Sequence, residues 1–249
     1  MIVTISFNGK TLFANLHEPL DISLPIREGE HNPNCYWAEP VKFETIKAGN
    51  FIGSVKDGGS VNYQKLTITP HGNGTHTECY GHIADDGATV NQNLNHFHFL
   101  AELVSAEPKE NSSGDLIITR AMLAASPGIE AMVIRTLPNK GSKKTKQYSG
   151  TNPPYVEAGA VRYLVERGVQ HILIDLPSLD KEDDEGKLLA HKAFWKFPQE
   201  TRKHATVTEL IYVPDDIPDG LYLLNLQIIG LEMDASPSKP VLYKLKEVL

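Results

Sequence analysis

Apolar and polar residues alternate along several short segments of the chain, which is the pattern of half-buried β-strands. The first two segments, IVTISF and KTLFANL within residues 2–16, flank Asn8-Gly9, and this pair predicts a tight hairpin. The alternation predicts further strands at 41–48, 65–69, 102–107, 115–118, 130–136, 206–213 and 221–230, with a last strand from Val241.

Helical periodicity is confined to fewer segments. Tyr155–Arg167 carries an apolar stripe at helical spacing, and Gly168 is well placed to end that helix. Shorter helices are predicted at Arg120–Ala125, with Thr119 as N-cap, and at Ala190–Trp195. Strands outnumber helices and their order is mixed, so the pattern predicts a mixed α/β or α+β fold.

One strand and one loop carry charges that need an explanation. His171–Leu176 is almost continuously apolar, which is typical of a strand buried on both faces. Its single charge, Asp175, is either paired for structure or part of a site. The loop at 138–154 contains four lysines among Gly, Ser, Thr and Asn, and we expect this basic run to be solvated surface.

Potential catalytic and metal-binding side chains are concentrated in Thr69–Ile83, TPHGNGTHTECYGHI, directly after a predicted strand. Three histidines, a glutamate and a cysteine fall within the twelve residues from His71 to His82. Imidazole and carboxylate groups ligate zinc, manganese or iron. This density favours a metal or catalytic site over a polar loop whose histidines bond only to backbone.

The spacing within this segment suggests how the side chains meet. His76 and Glu78 are two residues apart, so an extended chain sends both to the same side. The Gly72–Gly74 turn can fold His71 back onto the same point. His82, four residues after Glu78, is either a further ligand or a base that stands free of the metal.

Cys79 has two interpretations. It could be a nucleophile with a histidine base, or a small buried thiol, and we favour the thiol because no known cysteine signature matches here. The two cysteines, Cys35 and Cys79, are too few for a disulfide framework, and a reducing cytoplasmic location is expected.

Composition excludes several classes of function. The formal net charge is -7 and there is no basic stripe, so nucleic acid is not an expected partner. The N-terminus does not have the pattern of a signal peptide, and no window approaches the ~18 apolar residues of a membrane helix. Neither nucleic acid nor a membrane is therefore an expected partner.

The chain resembles the metal-dependent cyclase family, which includes bacterial kynurenine formamidase and isatin hydrolase. The family motif is His-x-Gly-Thr-His-x-Asp-x-Pro-x-His, and Gly74-Thr75-His76, Glu78 and His82 stand at its positions. Three later segments also match in order. They are Glu157–Val169 with Ile174–Asp180, then His191 followed by Glu209-Leu210, and finally Ser236–Val241.

The motif differs from the family pattern at three positions. Gly72 stands where the family has its first histidine, and His71 lies one residue earlier. Glu78 replaces an aspartate, and Tyr80 replaces the proline.

The resemblance implies a β-rich single domain over residues 1–249, of the swivelling β/β/α type. It implies an amidohydrolase that cleaves a formamide such as N-formylkynurenine or opens a cyclic amide, with one or two zinc or manganese ions. It assigns the metal to His76, Glu78, His191 and Glu209, with His71 as a less regular ligand. It also makes His82 the general base.

Other expectations are less specific. Trp37 and Tyr80 are candidates to line the pocket around an aromatic substrate. We expect a homodimer or homotetramer. The alternative is a family member that has lost catalysis and serves as a small-ligand-binding or structural protein. Metal content after purification without added metal separates the two.

Overall fold

The computed structural model describes residues 1–247 and consists mostly of strands. The strands are β1 Ile2–Phe7, β2 Lys10–Asn15, β3 Leu20–Asp21, β4 Lys42–Thr45, β5 Lys47–Ala48, β6 Phe51–Ile52, β7 Gln64–Thr67, β8 His76–Glu78, β9 His98–Ala106, β10 Lys109–Glu110, β11 Leu116–Ile118, β12 Ala131–Thr136, β13 Tyr155–Val156, β14 His171–Ile174, β15 Thr206–Glu209, β16 Gly220–Ile228, β17 Ala235–Lys244 and β18 Lys246–Glu247. The helices are α1 Val90–Asn93, α2 Ala158–Glu166 and α3 Leu189–Trp195, with 3-10 turns at Tyr80–His82, Arg120–Met122 and Gly141–Thr145.

The main sheet has eight strands in the order β16-β9-β12-β14-β15-β8-β17-β3. Because β16 also pairs with β17, all of these strands except β3 close into a barrel. The strands β9, β12, β14 and β15 run parallel, whereas β8, β16 and β17 pair antiparallel with their neighbours. The mixed α/β prediction is confirmed.

The alternation along the central strands divides the core into two layers. In β12, Ala131 and Val133 face the barrel interior, whereas Met132 and Ile134 pack outside with helices α2 and α3. In β14, Leu173 faces inward and its neighbours Ile172 and Ile174 face outward. Both strands are therefore buried on both faces, as the continuous apolar run predicts.

The N-terminal hairpin is confirmed. The strands β1 and β2 pair from Ile2↔Asn15 to Phe7↔Lys10. Asn8 and Gly9 at the turn have φ values of 48° and 76°. Positive φ at both central residues defines the type I′ turn that suits the twist of a hairpin.

Three predicted elements differ from the structure. Arg120–Ala125 forms only the short 3-10 turn at Arg120–Met122, and the Thr119 side chain makes no capping bond. Tyr155–Val156 is a strand paired with β11, so the predicted helix begins only at Ala158. The strand predicted at 206–213 ends at Glu209, because Leu210 adopts a left-handed φ of 54° and turns the chain.

The basic loop is surface at three of its four lysines, Lys140, Lys144 and Lys146, as expected, whereas Lys143 anchors it to the barrel. The Lys143 side chain is 13% exposed and lies 2.8 Å from Asp175 Oδ2. It also donates to the carbonyl and hydroxyl of Thr136. Asp175 is thus paired for structure, since removing either partner would leave an uncompensated buried charge.

No helix within residues 1–247 combines the length and apolarity that crossing a membrane requires.

A buried histidine in β14 predicts acid sensitivity. His171 is 4% exposed, its Nδ1 lies 2.8 Å from Thr206 Oγ1, and burial with nearby Arg202 lowers its pKa from 6.5 to about 3. The fold therefore prefers the neutral ring, and this stability is present above pH 6.5 and lost as the pH falls below it. At pH 5 the loss is about 2 kcal/mol.

We expect His171→Asn, which keeps a polar group toward Thr206, to lose less stability between pH 7 and pH 5 than the wild type. Urea unfolding at both pH values, with chelator present so that metal release does not contribute, measures the difference. An equal loss in both proteins would contradict the assignment.

Candidate metal centre

Strand β8 brings the first site residues onto the barrel. It lies between β15 and β17, and its register places His76 opposite Glu209 and Glu78 opposite Val207. Val207 packs in the outer layer with α3, so His76, Glu78 and Glu209 point to that outer side. The expectation that His76 and Glu78 share one side is confirmed.

The segment differs from the predicted strand-then-loop arrangement in one respect. The strand before it, β7, pairs only with β4 in a separate exposed sheet. His76–Glu78 is itself a barrel strand, and Thr77 faces inward with its hydroxyl 2.8 Å from that of Thr208. The site therefore rests on the barrel rather than on a loop.

Helix α3 supplies His191 from the other side of the cleft. Asp180 accepts hydrogen bonds from the backbone N–H groups of Ala190 and His191 at 2.7 and 3.0 Å. Its Oδ2 also lies 2.6 Å from His191 Nδ1. The opposite ring nitrogen, Nε2, is 3.1 Å from Glu78 Oε1 and 3.7 Å from Glu209 Oε1.

His71 enters the site from the preceding turn. Its Nδ1 lies 3.2 Å from Glu78 Oε2, and its ring centre is 5.3 Å from that of His76. A side chain at position 72 would overlap the Cβ of Ala38, so this position has to be glycine. His71, one residue earlier in the chain, occupies the space next to Glu78.

His82 lies at the mouth of the cleft, with 32% of its side chain exposed. Its Nδ1 is 3.7 Å from Glu78 Oε2 and 3.2 Å from Asp234 Oδ2. Its ring centre is 4.5 Å from that of His71. His82 therefore faces the same site as the other histidines, rather than turning away from it.

The structure brings together all six predicted metal and catalytic residues. Potential ligand atoms lie within 4.8 Å of one another in three overlapping sets, which are His71, His76 and Glu78, then Glu78, His191 and Glu209, and then His71, His82 and Asp234. Four of these residues are at most 4% exposed: His76, Glu78, His191 and Glu209.

The donor chemistry fits a cation. His76 Nδ1 lies 2.9 Å from the carbonyl oxygen of Gly74, which can only accept, so Nδ1 carries the hydrogen of the neutral ring. The remaining nitrogen, Nε2, is buried without a hydrogen-bond partner and lies 3.4 Å from Glu209 Oε2. A lone pair and a carboxylate facing each other in a buried space need a positive charge between them.

The pKa values describe the site when no cation is bound. Burial lowers the pKa of His71, but hydrogen bonds with Asp234 and Glu78 outweigh it and raise the value to about 10. Burial also lowers the pKa of His191, but hydrogen bonds with Asp180, Glu209 and Glu78 outweigh it. The pKa of His191 therefore lies well above its ordinary value. Protons on the rings thus offset the buried carboxylates until a cation takes their place.

The cleft above these residues has a volume of about 240 Å³. Its lining includes Tyr36, Ser178 and Leu188 together with the histidines and glutamates. The two residues suggested for substrate binding lie elsewhere. Trp37 is 75% exposed and borders a neighbouring groove, and Tyr80 is buried with its hydroxyl on Asp86.

Cys79 belongs to the barrel interior and not to the site. It is fully buried among apolar residues on the opposite side of the strand from Glu78. Burial raises the pKa of its thiol to about 11, so the reactive thiolate is scarce at neutral pH. This placement argues against a Cys79-dependent hydrolase.

Sequence reasoning missed the roles of Asp234 and Tyr36. Asp234 precedes the Ser236-Pro237 segment by two residues, which is the only local signal for it. Tyr36 and Trp37 both have left-handed φ values, 54° and 52°, and this turn directs Tyr36 toward the cleft. No periodic pattern in the sequence indicates such a turn.

A closed mixed barrel with a buried histidine–glutamate cluster under one helix defines a class of mixed α/β protein whose donor atoms suit a cation. The family model described as "Putative cyclase" matches residues 20–181, which is more than half of the chain. The chain therefore belongs to the cyclase family, as the motifs predict.

Individual relatives agree with this assignment. Kynurenine formamidase of Bacillus anthracis is 26% identical over 225 residues, which cover 90% of this chain and 96% of the relative. A solved structure titled as a potential metal-dependent hydrolase with cyclase activity has a TM-score of 0.65 at 20% identity, covering 91% of this chain and 97% of the other. Isatin hydrolase A from Labrenzia aggregata has a TM-score of 0.62 at 14% identity, covering 91% and 93%.

The site predicts that metal stabilises the fold. A cation that binds only the folded chain adds about 2.7 kcal/mol when its free concentration is 100-fold above Kd, or roughly 5–10 °C in melting temperature. We expect a chelator to remove this increment from the wild type and to have little effect on Glu78→Gln.

Thr77→Val is the matched control, because its side chain leaves the same strand on the opposite face. It should keep the chelator response. Thermal melts with measured metal content test the prediction, and a chelator that strips the metal without lowering the melting temperature would contradict it.

Proposed function

We propose that the chain is a metal-dependent amidohydrolase that acts on carbon–nitrogen bonds other than peptide bonds. The observation that carries this proposal is the buried Nε2 of His76, which has no hydrogen-bond partner and faces a carboxylate. The cluster around it contains the ligand types of a catalytic divalent-metal site. Relatives named kynurenine formamidase support the reaction class.

The residues fall into two overlapping ligand groups that share Glu78. His71 and His76 would hold one ion with Glu78, and His191 and Glu209 would hold a second ion with it. A divalent ion held there, zinc or manganese, would supply Lewis-acid chemistry, since it would polarise an amide carbonyl and lower the pKa of water.

His82 is the group that moves the proton. Its Nδ1 lies 3.2 Å from Asp234 Oδ2 and 3.7 Å from Glu78 Oε2, so the hydrogen of the neutral ring stays on Nδ1 and the lone pair of Nε2 is free to accept a proton. In hydrolysis, a water oxygen forms a bond to the carbonyl carbon and the C–N bond breaks. His82 takes the proton from that water and returns it to the leaving nitrogen, so the ring is restored at the end of the cycle.

The cleft favours a small substrate. Its volume of about 240 Å³ suits a planar amide of modest size better than a polypeptide. A formamide such as N-formylkynurenine and a cyclic amide such as isatin are the substrates we propose to test first. The first yields formate and an amine, and the second opens to an amino acid.

The alternative of a ligand-binding or structural protein rests on the glycine at the first motif position. His71 occupies the space next to Glu78, which removes the main reason for that alternative. We retain the expectations of a single domain over 1–249, a cytoplasmic location and a homodimer or homotetramer as part of the proposal.

His82→Ala should reduce turnover by about 10²–10⁴-fold, because it removes the proton carrier. Its metal content should stay close to that of the wild type, since the two ligand groups remain. Glu78→Gln should instead lose metal and turnover together. Steady-state assays on formamides and cyclic amides, with metal measured on the same samples, make the comparison.

Either of two results would revise the role of His82. If His82→Ala loses its metal, the residue is a ligand. If it keeps full activity on a substrate that the wild type hydrolyses, the base lies elsewhere.

Tyr36→Phe should raise KM and lower kcat/KM about fivefold, because Tyr36 lines the cleft, we expect its phenol to donate to a substrate oxygen, and a net hydrogen bond contributes about 1 kcal/mol. Burial of its hydroxyl end and nearby Glu209 raise the pKa of Tyr36, which keeps the phenol protonated. Trp37→Phe is the matched control and should behave as wild type. If Trp37→Phe raised KM and Tyr36→Phe did not, the substrate contact would be Trp37 and not Tyr36.

A further inference from the structure

Each histidine that faces Glu78 or Glu209 has its second ring nitrogen fixed by an acceptor. For His76 the acceptor is the carbonyl of Gly74, and for His191 it is the carboxylate of Asp180. Metal-bound histidines almost always carry such a partner, which sets the tautomer and the ring orientation. His71 needs an equivalent partner if it is to act as the third imidazole ligand.

Asp234 is in the position to be that partner. Its Oδ2 lies 2.8 Å from His71 Nε2 and 3.2 Å from His82 Nδ1. An ionised carboxylate only accepts, so both of these ring nitrogens carry hydrogens. When a bound cation keeps both rings neutral, this leaves the lone pair of His71 on Nδ1, which faces Glu78, and the lone pair of His82 on Nε2.

The backbone around Asp234 holds the carboxylate in place. The carbonyl of Asp234 accepts from the N–H of Cys79 at 3.0 Å, and the carbonyl of Met233 accepts from Val90 at 2.8 Å. Two residues earlier, Glu232 accepts from the side chains of Thr89, Asn91 and Gln92. The Asp234 side chain is therefore not needed to fasten its own loop.

We propose that Asp234 is a positioning residue that fixes His71 as a metal ligand and His82 as the proton carrier through one shared oxygen. The part that concerns His82 rests on the proposed hydrolase function, whereas the part that concerns His71 needs only metal binding.

The glycine at position 72 explains why His71 needs such support. The close approach of Ala38 excludes a side chain at that position, so the ligand comes from one residue earlier. The His71 side chain is 26% exposed, so packing alone constrains its ring less than the buried ring of His76. The hydrogen bond to Asp234 supplies the constraint, and it also selects which nitrogen faces Glu78.

The first test measures metal affinity. Asp234→Asn keeps the size of the side chain but removes its charge and the acceptor-only oxygen pair. We expect its affinity for Zn²⁺, measured by competition with a chromogenic chelator, to fall 10–100-fold. In a His71→Ala background the same change should have little further effect, because the ring it positions is gone.

Glu232→Gln is the matched control for the loop. It perturbs the anchoring bonds to Thr89, Asn91 and Gln92 but leaves the histidines untouched, so Zn²⁺ affinity should stay at the wild-type level. An Asp234→Asn variant that binds Zn²⁺ like wild type, or an equal loss in Glu232→Gln, would overturn the proposal.

The second test separates the two rings by turnover at saturating Zn²⁺. Introduced into the otherwise wild-type chain, Asp234→Asn should lower kcat. Introduced into His82→Asn, it should have little further effect on kcat. It should shift the pH dependence of kcat only in the chain that keeps His82. Additive losses in the double variant would overturn the link to His82. If no amide is hydrolysed by the wild type, the proposed function fails, and the Zn²⁺ affinities still decide the role of Asp234 toward His71.

A third measurement needs no variant and so does not depend on the folding of Asp234→Asn. ¹⁵N NMR of the Zn²⁺-loaded wild type should show His71 protonated at Nε2 and His82 protonated at Nδ1. The opposite tautomer at either ring would overturn the proposal for that ring.

Discussion

The rest of the site depends on one electrostatic constraint, which is that two buried carboxylates and several imidazole nitrogens face each other. Glu78 and Glu209 are at most 4% exposed, and their oxygens lie close together around His191. Burying like charges side by side is costly unless a positive charge lies between them. Protons on His71 and His191 offset part of this charge, and a divalent cation would offset it with better geometry. The stability of the fold therefore depends on the positive charge at the centre, which is either the ring protons or a cation.

The barrel makes this arrangement possible because rigid strands and a helix hold the proposed metal ligands. His76, Glu78 and Glu209 stand on two paired strands, so their spacing follows from the register. His191 stands on a helix whose first N–H groups are bound by Asp180, and the same carboxylate also holds the histidine ring. One aspartate thereby couples the start of the helix to the orientation of the ligand.

The sequence predicts the strands of this fold better than it predicts their partners. Alternation identified the hairpin at residues 2–16 and the strand β12, because a period of two reports directly on burial, and a continuous apolar run identified the buried strand β14. Alternation did not indicate that His76–Glu78 is a barrel strand, since three residues with polar side chains carry no apolar period. The motif identified His76, Glu78 and His82, the later matching segments identified His191 and Glu209, and the histidine-rich loop itself pointed to His71. Tyr36 and Asp234 escaped these signals, because a left-handed turn and a loop across the barrel bring them to the site.

The shifted histidine shows how a departure from a motif can conserve a site. Gly72 leaves no room for a side chain, and the chain compensates by turning His71 back toward Glu78. Such a turn alone would fix the position of the ring but not which of its nitrogens faces the carboxylate. Asp234 accepts from the outer nitrogen, and the same oxygen lies beside His82. The arrangement that orients His71, the proposed metal ligand, therefore also orients His82, the proposed base. A change in Asp234 would affect both residues in this chain.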